Sequence, residues 1–191
     1  MADFDPNATQ HEVKEHSVAK LSEQWAYSKQ LLPALNTYQI HSATLETGVL
    51  ENQAILTQLA KLKREHNLLI GLTTTGTNQV EVIRKALDVR VDGIAIFDVF
   101  QVTFNVLDQN LASVASELHQ QDKRIIIKEA MANGRVFPNV AYPHYAALYK
   151  ALDDMAQRYG VGVDAIALRF CVDVLHPYTC LLYTSPSPRD A

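Results

Sequence analysis

The sequence has 191 residues, 48% of them hydrophobic and 20% charged, with a formal net charge of −4. That balance suits one ordinary globular domain, and without a long basic run nothing gives a nucleic acid an electrostatic foothold. No apolar stretch is long enough to span a bilayer, and the opening MADFDPNATQHEVKEH lacks the basic start and apolar core of a signal peptide. The two cysteines, Cys171 and Cys180, make no disulfide framework, so a reducing cytoplasmic setting without membrane or nucleic-acid partners is the expectation.

Along the chain, helical and strand periodicities alternate. Val18, Leu21, Trp25 and Leu32 predict a helix over residues 16–32, stopped by Pro33, with Ser17 or Asn7 available to cap it. A short strand follows at 37–41. Ile55, Leu59 and Leu62 predict a helix over 51–65, and a strand over 68–73 comes next. Val80, Ile83 and Leu87 mark a helix over 78–87. A strand is expected within 93–103, around Ile94, Ile96 and Phe97 and then Gln101 to Thr103. Leu111, Val114 and Leu118 give a helix over 109–121. The unbroken Ile125, Ile126 and Ile127 predict a strand over 124–128 that is buried on both faces. A longer helix over 144–159 carries Tyr145, Leu148, Tyr149, Leu152, Met155 and Tyr159, with Gly160 as its C-cap. Asp164 stands where an N-cap belongs for a last helix bearing Ile166, Leu168 and Phe170.

Strands alternating with helices imply a parallel α/β sheet. No G-x-G-x-x-G follows any strand, which weighs against a dinucleotide-binding doubly wound sheet. The four strands end in His41-Ser42, Thr73-Thr74, Gln101 with Asn105, and Lys128-Glu129. Polar groups at the end of every strand suit the mouth of a (β/α)₈ barrel, where chemistry sits at the C-terminal strand ends. A full barrel needs eight strands, so the expected fold is a partial TIM-type barrel with parallel strands, without the first strands and the last βα unit.

Each strand-end residue has two readings. His41 could donate a hydrogen bond that polarises a carbonyl, or be an ordinary hydrogen-bonded histidine. The Gln101 amide could bind another amide or merely line the sheet; the Thr73 and Thr74 hydroxyls could bind ligand or cap the next helix. Lys128 could form a Schiff base in an aldolase or lyase or pair with a carboxylate, although strand alternation points Lys128 and Glu129 to opposite sides. In the following loop Asn133, Gly134 and Arg135 are candidates; Arg135 could make a bidentate phosphate contact or be a solvated surface arginine. One metal motif fails: His11 and His16 are five residues apart, whereas a zinc helix needs histidines four apart on one face, so no metal is expected.

TYQIHSATLETGVLENQAILTQLAKLKRE resembles the strand-four and helix-four region of the aldo/keto reductases, and His41 matches the histidine of their hydrophobic–Tyr–x–Ile–His motif. LLIGLTTTG is similar to their next strand, FQVTFNVLDQN to their strand-six Q-x-x-x-N segment, IIIKEAMANGRV to strand seven and its cofactor loop, and DAIALRFCVDVLHP to the helix before the last strand. The resemblance implies a (β/α)₈ barrel that reduces a small-molecule carbonyl with NADPH through an Asp, Tyr, Lys and His tetrad. Only His41 maps onto that tetrad; the other three belong to earlier strands. It also implies cofactor contacts at Gln101, at Thr73 and Thr74 in the family's Ser-Asn positions, at Lys128 where the family often stacks a tyrosine, and in the loop carrying Asn133 and Arg135.

Residues 1–179 are therefore expected to be a partial aldo/keto reductase barrel. After Pro177 the composition changes, and CLLYTSPSPRDA reads as translated sequencing adapter, so residues 180–191 are expected to be a non-native tail. The expected function is NADP-dependent carbonyl reduction in an intact parent, with this chain an inactive fragment. A non-catalytic half-barrel that binds a partner is the other reading, because an open sheet leaves two exposed edges.

Overall fold

The computed structural model describes residues 15–181. Helix α1 (Val18–Ser28) starts at Ser17, whose hydroxyl accepts from Lys20 N, and runs into a single 3₁₀ turn instead of reaching residue 32. Asn7 and His11 lie outside the described residues. Strand β1 (Thr37–Ala43) leads to α2 (Gln53–His66), capped by the Asn52 side chain on Ile55 N. There follow β2 (Leu69–Thr74), α3 (Gln79–Asp88), the two-residue strands β3 (Arg90–Val91) and β4 (Ile94–Ala95), and β5 (Phe97–Thr103). Then come α4 (Ala112–Gln120), β6 (Arg124–Lys128), α5 (Ala146–Tyr159), α6 (Val163–Leu175) and the short β7 (Thr179–Cys180).

The strands form one parallel five-stranded sheet in the order β1-β2-β5-β6-β7, plus a small antiparallel hairpin of β3 and β4. This is an α/β fold compatible with part of a (β/α)₈ barrel; the sheet does not close among the described residues. The strand expected within 93–103 is thus two elements. Asp92 and Gly93 both adopt left-handed backbone angles (φ 53° and 77°), the pairing a tight two-residue hairpin turn requires. Ile94, read as a strand residue, lies in β4 of that hairpin and is 51% exposed. Cys180, assigned with the tail, pairs with Ile127 in β7, and both cysteines are free.

The two faces of the sheet differ. Ile70, Leu72, Phe97, Phe100, Val102, Ile125 and Ile127 join one apolar cluster with α2, α3, α4 and α6. The opposite, inner face carries Gln39, Gly71 and Val99 side by side. A Cβ on Gly71 would lie 2.8 Å from the Gln39 side chain and 2.9 Å from the Val99 carbonyl, so β2 tolerates only glycine there without displacement. Two irregularities break the alternation. Ser42 is left-handed (φ 51°) where the β1–β2 register shifts, and Asp98 is the extra residue where the β2–β5 register shifts.

The last two helices correct the sequence reading in detail. Gly160 ends α5 in a left-handed conformation (φ 65°), as expected. On α5 only Leu152 and Ala156 are buried, however, while Met155 and Tyr159 are 46% and 62% exposed. The helix packs on α6 and not on the sheet, so a narrower stripe is covered. The N-cap of α6 is Gly162 and not Asp164. Val163 packs into the smaller apolar cluster with Ile166 and Ala167, which pulls the helix start back and leaves Asp164 in the first turn, where its charge suits the helix dipole.

Candidate functional site

The C-terminal ends of β1, β2, β5 and β6 lie along one rim of the sheet. In the ladder Thr73 stands opposite Gln101, Gln101 opposite Ile126, and Thr103 opposite Lys128. Alternation from Gly71 and Val99 therefore puts Thr73, Gln101 and Lys128 on the inner face, in adjacent strands and within one or two rungs of each other. Thr73 is buried, and Gln101 and Lys128 are half-buried. None of the three side chains makes a hydrogen bond within the described residues, so their polar groups are unspent. Below them the buried Gln39 Oε1 also has no partner.

Lys128 and Glu129 do meet, contrary to the expectation from alternation: Nζ lies 3.6 Å from Oε1. Glu129 is left-handed (φ 60°), which ends β6 and turns its carboxylate back toward the preceding lysine. Thr103 Oγ1 donates to the other carboxylate oxygen at 3.2 Å. The side-chain amide of buried Asn105 donates to Glu129 O at 3.0 Å, while its oxygen accepts from Leu107 N and Asp108 N. Asn105 thereby ties the loop after β5 to the end of β6.

The remaining candidates fall elsewhere. Thr74 is fully buried on the helix-facing side, its hydroxyl directed at Gln79 Oε1 (3.2 Å) and Gln101 O (3.3 Å). That hydroxyl is spent within the fold. His41 is not at the end of β1 but at its bulge, exposed, and its carbonyl accepts from His16 Nε2 at 3.0 Å. A bulge is a device for re-aiming a side chain. Asn133 is left-handed (φ 53°) and Arg135 exposed, both in or next to the turn Ala132–Gly134 beyond β6.

Sequence reasoning missed Gln79, which is 1% exposed on the first turn of α3. The signal was present: Gln79, Val82, Ile83 and Ala86 share helical spacing, so one polar residue occupies the buried stripe. At the opposite rim, Lys63 Nζ donates to Ala95 O, Ile96 O and Asp98 Oδ1, and Asp98 Oδ2 also accepts from Ile70 N.

No protein-family model and no curated protein matches the sequence. Solved structures do. The apo form of an aldo-keto reductase from Bacillus halodurans, AKR11C1, is similar at a TM-score of 0.65 and 16% identity, over 88% of this chain and 58% of that one. Its holo form gives 0.60 and 17%, over 85% and 53%. A thermostable aldo-keto reductase, Tm1743, solved with the inhibitor epalrestat, gives 0.62 and 15%, over 87% and 56%. The fold is that of the aldo-keto reductases. The chain spans little more than half the length of those structures.

Proposed function

We propose that this chain is the cofactor-facing part of an NADP-dependent oxidoreductase of the aldo-keto reductase type, which reduces a small-molecule carbonyl to an alcohol. The observation that carries the reading is the row of unspent polar side chains Thr73, Gln101 and Lys128 on the inner face, at the C-terminal strand ends of an aldo-keto reductase fold. The fit is to an amide-bearing planar ring: the Gln101 carboxamide offers both a donor and an acceptor, and Thr73 a hydroxyl, to a nicotinamide carboxamide. A bound nicotinamide would supply the hydride.

The chain's own residues then orient and exclude. His41 Nε2 or Nδ1 would donate to the substrate carbonyl oxygen and polarise it. Lys128, held near Glu129, sets positive charge on the inner face. Asn133 and Arg135, exposed in or next to the turn beyond β6, would take a cofactor phosphate. The proton donor and its lysine and aspartate partners lie outside this chain in this reading, so it is a fragment of the enzyme. The test is NADPH consumption by the purified chain with simple aldehydes and ketones. Little or no turnover is expected; substantial turnover overturns the fragment reading. Restored turnover on joining the chain to upstream strands that carry Asp, Tyr and Lys supports the reading, and failure of that extended chain overturns the activity itself.

A further inference from the structure

Gln79 does what a strand would otherwise do. The β2–β5 ladder ends at Thr73 opposite Gln101, so β2 supplies no partner for the backbone of Thr103, two residues further on. The Gln79 side chain takes that place: Nε2 donates to Thr103 O at 2.9 Å, and Oε1 accepts from Thr103 N at 3.2 Å. A carboxamide matches a peptide unit on both counts, offering a donor and an acceptor. The same Oε1 accepts from Thr74 Oγ1, whose oxygen also lies against Gln101 O. One buried side chain on α3 thus holds the ends of two strands, β2 and β5, together.

The consequence reaches the inner face. With its backbone held, Thr103 delivers its hydroxyl to Glu129, and Glu129 stands 3.6 Å from Lys128 Nζ. Gln101 lies two residues earlier on the same strand. We propose that Gln79 is a positioning residue of the candidate site: through Thr103 and Glu129 it sets the Lys128 ammonium relative to the Gln101 carboxamide. The functional meaning of that placement rests on the cofactor reading above; the placement itself does not.

The experiment follows the side-chain Cε and Nζ nuclear resonances of lysines in the full chain, with Lys128 assigned by Lys128→Arg and Lys63 serving as an internal control at the other rim. In Gln79→Leu the Lys128 resonances shift, the Thr103 amide exchanges about tenfold faster or more, and the Lys63 resonances stay. In Gln79→Glu the perturbation is present at alkaline pH, where the carboxylate cannot donate to Thr103 O. It is relieved in mild acid, where the neutral carboxyl offers a donor and an acceptor as the amide does. An unmoved Lys128 signal in Gln79→Leu overturns the proposal. So do Lys63 and Lys128 responding together, or a Gln79→Glu chain that acid does not rescue, since both mark a merely structural residue. NADPH added to the wild-type chain separates the two levels. A Lys128 that depends on Gln79 but ignores NADPH keeps the positioning role and removes the cofactor assignment.

Discussion

Two lysine–carboxylate pairs sit at opposite rims of the same sheet and are built differently. At the N-terminal rim Lys63 Nζ lies 2.7 Å from Asp98 Oδ2, and its donors are shared among that carboxylate and two backbone carbonyls. Asp98 in turn satisfies Ile70 N, so the pair closes the bulge that places it. At the C-terminal rim Lys128 lies 3.6 Å from Glu129, beyond hydrogen-bond range, although its side chain is only 17% exposed. The first pair is consumed by the fold; the second leaves an ammonium with donors to give. That is the division expected of a barrel, where the N-terminal face serves stability and the C-terminal face serves chemistry.

Removing the carboxylate of the first pair is the most damaging test. Asp98→Ala strips Lys63 of its counter-ion and Ile70 N of its acceptor in a site where both side chains are about one-fifth exposed. A loss of about 3 kcal/mol is expected from the urea midpoint. A loss under about 1 kcal/mol would erase the contrast between the rims.

The backing of the C-terminal rim can be probed by pH. Cys171 is fully buried, its thiol is directed at Phe104 O beside the end of β5, and burial pushes its pKa up from 9.0 to about 12. The folded chain therefore holds this proton where the unfolded chain has lost it. The contribution is intact below about pH 9 and is lost as pH rises toward 12, at about 1.4 kcal/mol per pH unit. Urea melts across this range should show that slope in the wild type and a flatter one in Cys171→Ala. Equal slopes would mean that the thiol is not protected.

Lys128→Met should change least. With no hydrogen bond to lose, stability is expected to stay within about 0.5 kcal/mol of wild type. A loss comparable to that of Asp98→Ala would make the second pair structural too and remove the reason to place a ligand there.

Much of the fold was legible because burial writes a period into the sequence. The triple isoleucine of β6 and the stripes of α2 and α3 mark their elements to within a residue or two. The site was legible only as a set of strand ends. That Thr73, Gln101 and Lys128 share a face follows from the ladder register, which no local pattern encodes. Thr74 belongs to the other face because a strand alternates, and one residue of shift exchanges ligand-facing for helix-facing. The D-G of the β3–β4 turn and the glutamine on the α3 stripe were visible locally and went unread, the first inside an apolar run, the second among polar neighbours.

By itself the sequence determined an α/β alternation, the bounds of β6 and the order in which polar groups arrive along the chain, since these depend on short-range periodicity and caps. Only the tertiary structure decided that Asp98 leaves the ladder to meet Lys63 and that Gln79 substitutes for a missing strand. It alone decided that a left-handed Glu129 turns back on Lys128. Each of these joins residues distant in the chain or breaks the alternation from which a strand is read. Hydrogen-bond demand in a packed interior settles such cases, not the local pattern.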